Sequence, residues 1–350
     1  MSVPLWGLRR RLAWLYAGLA AANIGAWAWA LLQFRDRPLL FGSAILAYGL
    51  GLRHAMDADH IAAIDNVTRK LMQEGRRPLG VGMFFAVGHS TVVVLAAVAV
   101  VAGAEALAGS LDGIRTVGGV LGTSVSALFL FVIAAVNMAV LAGVWRTWRH
   151  VRAGGAYNEE DFDILLNSRG LLSRLFRPLF SMIGRSWHML GLGFLFGLGF
   201  DTASEIALLG IAATQATAGL PVWSIMVFPA LFAAGMILVD TTDGVLMLGA
   251  YGWAFLNPRR KLQYNLVISA ISVVVAVAGG GVETLGLIGD RLTPGGGFWN
   301  AVAVVNDQLE LLGFVTAGLL VLVWMAALLA GRLRGARLTR TAEGAPTTDA

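Results

Sequence analysis

The chain has 350 residues, 57% of them hydrophobic and only 13% charged, with a net charge of +5 and a mean hydropathy of +0.72. Soluble domains carry about a quarter charged residues, so too few charges are present here to cover a water-facing surface. A soluble enzyme, a disordered chain and a collagen-like fibre are excluded, and an all-α, polytopic membrane protein is indicated.

Cysteine is absent. That removes disulfides, zinc ribbons, iron–sulfur centres and thiol nucleophiles, and leaves nitrogen and oxygen, with methionine sulfur, as the possible metal donors. The only lysines, Lys70 and Lys261, follow Arg69 and Arg260. A phosphate-binding loop needs Gly-Lys-Ser/Thr, so the chain carries no such ATP site.

Residues 12–34 hold no charge and follow Arg9, Arg10 and Arg11. A secretory apolar region is about 7–15 residues long, so this longer run predicts a retained membrane helix. Further spans are predicted at 39–68, 79–105, 117–145, 186–215, 222–256, 262–282 and 310–331, for a total of eight within a membrane domain of residues 1–331. With the N-terminus in the cytoplasm, 21 of the 26 Lys and Arg fall on that side. Four fall outside, and Arg53 lies within the second span. This bias predicts that both termini are cytoplasmic in the inner (cytoplasmic) membrane. The 146–185 connection, whose second half mixes Leu and Phe with Arg169, Arg174 and Arg177, reads either as a surface amphipathic helix or as a solvated connector. The polar tail, residues 332–350, is predicted to be disordered.

Ionisable groups within spans are costly and mark function. Here they form four clusters. The second span carries Arg53-His54-Ala55-Met56-Asp57-Ala58-Asp59-His60, followed by Asp65 and Asn66. The third carries Gly88-His89-Ser90-Thr91, the fifth Asp201-Thr202-Ala203-Ser204-Glu205, and the sixth Asp240-Thr241-Thr242-Asp243. By rise per residue, His54, Asp201 and Asp240 fall near mid-bilayer, the depth at which secondary transporters hold their ions. At about 100° per residue, a regular helix puts His54, Asp57 and His60 on one face and Asp59 on the other. Asp59 then braces another helix, or the backbone breaks nearby, where Gly49 and Gly51 would allow it. Asp201 and Glu205, and Asp240 and Asp243, are pairs that each face one way. Imidazole with carboxylate and no thiolate suits a nickel-, cobalt-, zinc- or manganese-type ion, whereas magnesium and calcium prefer oxygen alone. Blander readings compete: an Arg53–Asp57 ion pair, an interhelical hydrogen bond at His89, helix packing by Ser90 and Thr91, and an interfacial Asp65.

These segments resemble the signatures of the nickel/cobalt transporter family (NiCoT). The motif Arg53-His54-Ala55-Met56-Asp57-Ala58-Asp59-His60-Ile61 is similar to the family's second-helix signature. The stretches from Phe84 to Val93, Leu198 to Glu205 and Gly235 to Asp243 match in the family's order. The resemblance implies an eight-helix permease in which His54, Asp59 and His60 are indispensable, with Asp57 and His89 close by. It also implies that the acids of the fifth and sixth spans (Asp201, Glu205, Asp240 and Asp243) support the site, and that Asn23 of the first span approaches it. Met56 stands where the family has Val or Phe linked to metal preference, and Ser204 where Thr is commoner.

The resulting expectation is uptake of Ni²⁺ or Co²⁺, with His54, Asp57, His60 and His89 holding the ion, Asp59 a ligand or an anchor, and Arg53 and Met56 beside them. Membrane potential would drive it rather than ATP, and uptake would fall as imidazole protonates. No cofactor, enzyme activity or nucleic-acid partner is expected; the partners are the ion and the bilayer. Metal efflux and an intramembrane metalloenzyme are the competing functions. Against the enzyme, no His-Glu-x-x-His motif occurs.

Overall fold

In the computed structural model, residues 5–102, 108–153, 183–198, 202–254, 258–292 and 295–306 are described, with 308, 314–316, 318, 319, 322 and 325. Every regular element among them is helical: α1 Leu5–Phe34, α2 Pro38–His54, α3 Ala58–Gln73, α4 Val81–Ala102, α5 Ala108–Arg152, a single 3₁₀ turn Ser186–His188, α6 Met189–Gly197, α7 Ala203–Thr217, α8 Val222–Ile225, α9 Val227–Ala254, α10 Pro258–Leu292 and α11 Gly297–Asn306. Five stretches are long and apolar enough to cross a membrane: 7–34, 81–102, 123–150, 222–254 and 264–289. The α2–α3 pair makes a sixth if counted as one bent span. Most of the expected eighth span at 310–331, most of the 146–185 connection and all of the 332–350 tail lie outside the described residues.

Two spans expected to be continuous are interrupted. The 39–68 helix stops at His54 and restarts at Ala58 with a 51° bend. Asp57 is extended there (φ −69°, ψ 148°), and its Oδ1 accepts from the Ala58 amide at 3.0 Å, so it caps α3. The break falls at 55–57, beyond the glycines that were expected to permit it. The 186–215 helix is likewise divided into α6 and α7. Thr202 (φ −86°, ψ 142°) caps α7 by accepting from the Glu205 amide. In both cases a short polar side chain offers the backbone N–H a better partner than continuation of the helix.

Around these breaks, α4 packs on α9 at the centre, α2 lies along α9, and α6 lies along α4. The α5–α10 pair stands to one side, with α3 between it and α9. Glycines let the central backbones touch, as in membrane bundles generally. A Cβ on Gly82 of α4 would lie 1.8 Å from the Asp240 carbonyl oxygen of α9, and one on Gly51 of α2 would lie 2.1 Å from that of Phe232. Gly82→Ala is therefore expected to force α4 and α9 apart at the residue that carries Asp240. A loss of about 1–3 kcal/mol or more, the range for overpacking, should appear as a lowered melting temperature in detergent.

A buried polar network ties α3 to its neighbours. Arg69, 4% exposed, donates to Asn66 Oδ1 at 2.5 Å, to Ser269 Oγ of α10 at 3.0 Å, and to Asn137 of α5. Asp65 accepts from Tyr251 of α9 at 2.5 Å and from Ser272 of α10 at 3.5 Å. The expected span ends at residue 68, which leaves Arg69 just beyond it and Asp65 near the interface. Both are internal, because α3 runs on to Gln73 and carries them between helices.

Candidate metal centre

Three imidazoles converge where the broken helices meet the long ones. His54 ends α2. His60 is the third residue of α3 after its Asp57 cap. His89 lies within α4. They are 1%, 0% and 3% exposed. Their ring centroids form a nearly equilateral triangle of 4.9 Å (His54–His89), 4.8 Å (His54–His60) and 4.8 Å (His60–His89). One ring nitrogen from each lies within 4.8 Å of the other two, and this is the sole such three-residue group of His, Asp and Glu among the described residues. Phe85 stands edge-on to His60 at 4.8 Å, and Phe232 lies 5.5 Å from His54, so the walls are apolar.

Each half of the chain supplies partners to the other. His60 Nδ1 lies 3.1 Å from Asp240 Oδ2 and 3.4 Å from Oδ1. A carboxylate only accepts, so Nδ1 donates, and in the neutral imidazole Nε2 is the nitrogen that holds the lone pair. That Nε2 is buried with no hydrogen-bond partner among the described residues, a state natural proteins rarely leave without purpose. Across the site, His89 Nε2 lies 2.9 Å from Glu205 Oε1 and 3.0 Å from His54 Nε2, and the same Glu205 oxygen is 3.9 Å from His54 Nε2. Glu205 occupies the third position of α7, as His60 does in α3. Thus the third residue of each restarted helix meets a residue in the middle of the other half's long helix.

The remaining expected residues are spread around this core. Asp57 is buried and caps α3, so the shared helical face drawn for His54, Asp57 and His60 does not exist; the break rotates α3 out of phase with α2. Asp59 Oδ1 accepts from the His60 amide at 2.7 Å, bracing the first turn of α3. Met56 is half-buried in the break and Arg53 is exposed. Asn23 receives a hydrogen bond from Tyr48 at 2.9 Å and donates to the carbonyls of Leu19 and Ala234, which ties α1 to α2 and α9. Asp243 is within electrostatic reach of Asp240 and Asp65. Asp201 lies outside the described residues. Sequence reasoning allowed a break in the second span but missed the one in the fifth, although Thr202-Ala203-Ser204-Glu205 has the Ser/Thr-x-x-Glu form of a helix start.

Residues 40–330 match the NicO family, described as a high-affinity nickel-transport protein. The chain belongs to this family. It is 57% identical over 326 residues to the high-affinity nickel transport protein of Cupriavidus necator, covering 93% of each chain. Nickel transporter NicT of Mycobacterium tuberculosis is 46% identical over 330 residues, with 91% of this chain and 88% of that one covered. The cobalt transport protein NhlF of Rhodococcus rhodochrous is 39% identical over 336 residues, 94% of each. No solved structure matches. Membership in a family of transporters removes the metalloenzyme reading.

Proposed function

We propose that the protein is an uptake permease that carries Ni²⁺ or Co²⁺ across the cytoplasmic membrane, with His54, His60 and His89 as nitrogen ligands and Glu205 beside them as the compensating carboxylate. The observation that carries this reading is a triangle of fully buried imidazoles from three helices, one presenting an Nε2 with no hydrogen-bond partner among the described residues. Three neutral imidazoles and a carboxylate suit a borderline transition ion. Asp240 orients His60 and raises its basicity, as outer carboxylates do for metal-bound histidines. Relatives named for nickel and for cobalt support both ions as substrates.

The broken helices fit a cation site. The ends of α2 and α6 point backbone carbonyls, the negative poles of their dipoles, toward the junctions, while Asp57, Asp59 and Glu205 offset the positive starts of α3 and α7. Charge asymmetry supports eight spans with both ends cytoplasmic. Each charge gains about 2.3 kcal/mol per 100 mV, so a divalent ion entering a negative interior gains about 4.6 kcal/mol without ATP.

Proteoliposomes holding the full chain should accumulate ⁶³Ni²⁺ when an inside-negative potassium diffusion potential is imposed. His54→Ala should reduce this to the empty-vesicle level. Cells expressing the protein that lose nickel and gain nickel resistance would reverse the direction assigned here.

A further inference from the structure

Two of the three imidazoles have carboxylate partners, but His54 faces a hydroxyl. Thr202 Oγ1, at the start of α7, lies 3.4 Å from His54 Nδ1, 3.1 Å from Glu205 Oε2 and 3.4 Å from the Glu205 amide nitrogen. A threonine hydroxyl has one proton and two lone pairs. The proton goes to the Glu205 carboxylate, which can only accept. One lone pair takes the Glu205 N–H. The second is left for His54, whose Nδ1 must then carry a hydrogen and whose Nε2 must be bare. That Nε2 faces the other imidazoles, 3.0 Å from His89 Nε2.

We propose that Thr202 is a positioning residue for metal binding: its hydroxyl, polarised by Glu205, accepts from His54 Nδ1 and holds the imidazole in the tautomer that offers Nε2 to the ion. It does for His54 what Asp240 does for His60. The single hydroxyl also joins the end of α2 to the start of α7, so the two helix breaks are held in one geometry at the ion. The assignment rests on the metal-site reading above and adds a residue to it.

The test is Ni²⁺ affinity of the purified full-length protein, measured by titration against a competing chelator, in Thr202→Val, Thr202→Ser and Thr202→Asn. Valine keeps the shape but cannot accept, and affinity should fall about 10–100-fold, the usual effect of removing a residue that orients a ligand. Serine restores the acceptor and should return affinity close to that of the unmodified protein. Asparagine caps helices at least as well as threonine. With its carbonyl on the Glu205 amide, however, it turns an NH₂ donor toward His54 and should bind as poorly as valine. Full affinity in the asparagine variant would reduce Thr202 to a helix cap, and full affinity in the valine variant, or a defect in the serine variant equal to that of valine, would also overturn the assignment. If the valine variant does not fold, serine against asparagine decides, since both retain the cap. His54→Ala separates the two levels: unchanged affinity there overturns the metal site itself, whereas lost affinity there with normal binding in Thr202→Val overturns the role of Thr202 alone.

Discussion

His60→Ala is expected to weaken Ni²⁺ binding by more than the roughly 10–100-fold that follows loss of an orienting partner, and to stop uptake. The histidine supplies a buried Nε2 with no hydrogen-bond partner among the described residues and also satisfies Asp240. Its removal deletes a ligand and strands a carboxylate that is 0% exposed. Asp240→Asn separates these effects. The amide oxygen can still accept from His60 Nδ1, so the tautomer and the ligand survive while the negative charge is lost. Affinity should fall toward the lower end of that range, and X-ray absorption of the bound nickel should still count three imidazoles. In His60→Ala the count should be two at saturating nickel. An unchanged count in His60→Ala would mean that the ion sits elsewhere.

Arg69→Ala should destabilise the protein strongly while leaving the imidazole triangle intact. The guanidinium is bonded to Asn66, Asn137 and Ser269 across α3, α5 and α10, and it lies within electrostatic reach of buried Asp65. Removing one member of such a buried group costs about 3–5 kcal/mol, chiefly because its partners stay buried without compensation. Lysine should not rescue, because a compact ammonium cannot reproduce the planar fork that serves three acceptors on different helices. Thermal unfolding of Arg69→Ala and Arg69→Lys checks this, with nickel affinity of the folded fraction as the second reading. These hydrogen bonds of Arg69 run to α3, α5 and α10 rather than to the imidazoles, so affinity should change little. A normal melting temperature would remove the network from the list of what holds α3 in place.

How far the sequence could be read follows from which forces are local. Charge-free runs such as 12–34 and the polar clusters at His54, His89, Glu205 and Asp240 stand out because each intramembrane charge is costly wherever the chain folds. The absence of cysteine removed thiolate from the possible donors in the same direct way. The helix breaks were half legible. Thr202 and Glu205 have the spacing of a helix start, and Asp57 is a good cap residue, but a 30-residue apolar run favours an unbroken helix unless the capping side chains are weighed against it. The burial of Arg69 was not legible, because a basic residue near the end of an apolar run looks like a loop charge until Asn66, Asn137 and Ser269 are seen around it.

Composition and spacing alone thus determined that this is a helical membrane protein and which residue types gather in its polar clusters. Only the tertiary structure decided who pairs with whom: His60 with Asp240 and His89 with Glu205 are 180 and 116 residues apart. The same packing placed Asp57 in a cap and Arg69 in the interior. Those pairings depend on how closely glycine-lined helices approach and on where a backbone turns aside to satisfy its own hydrogen bonds, and neither quantity is carried by the order of residues along one span.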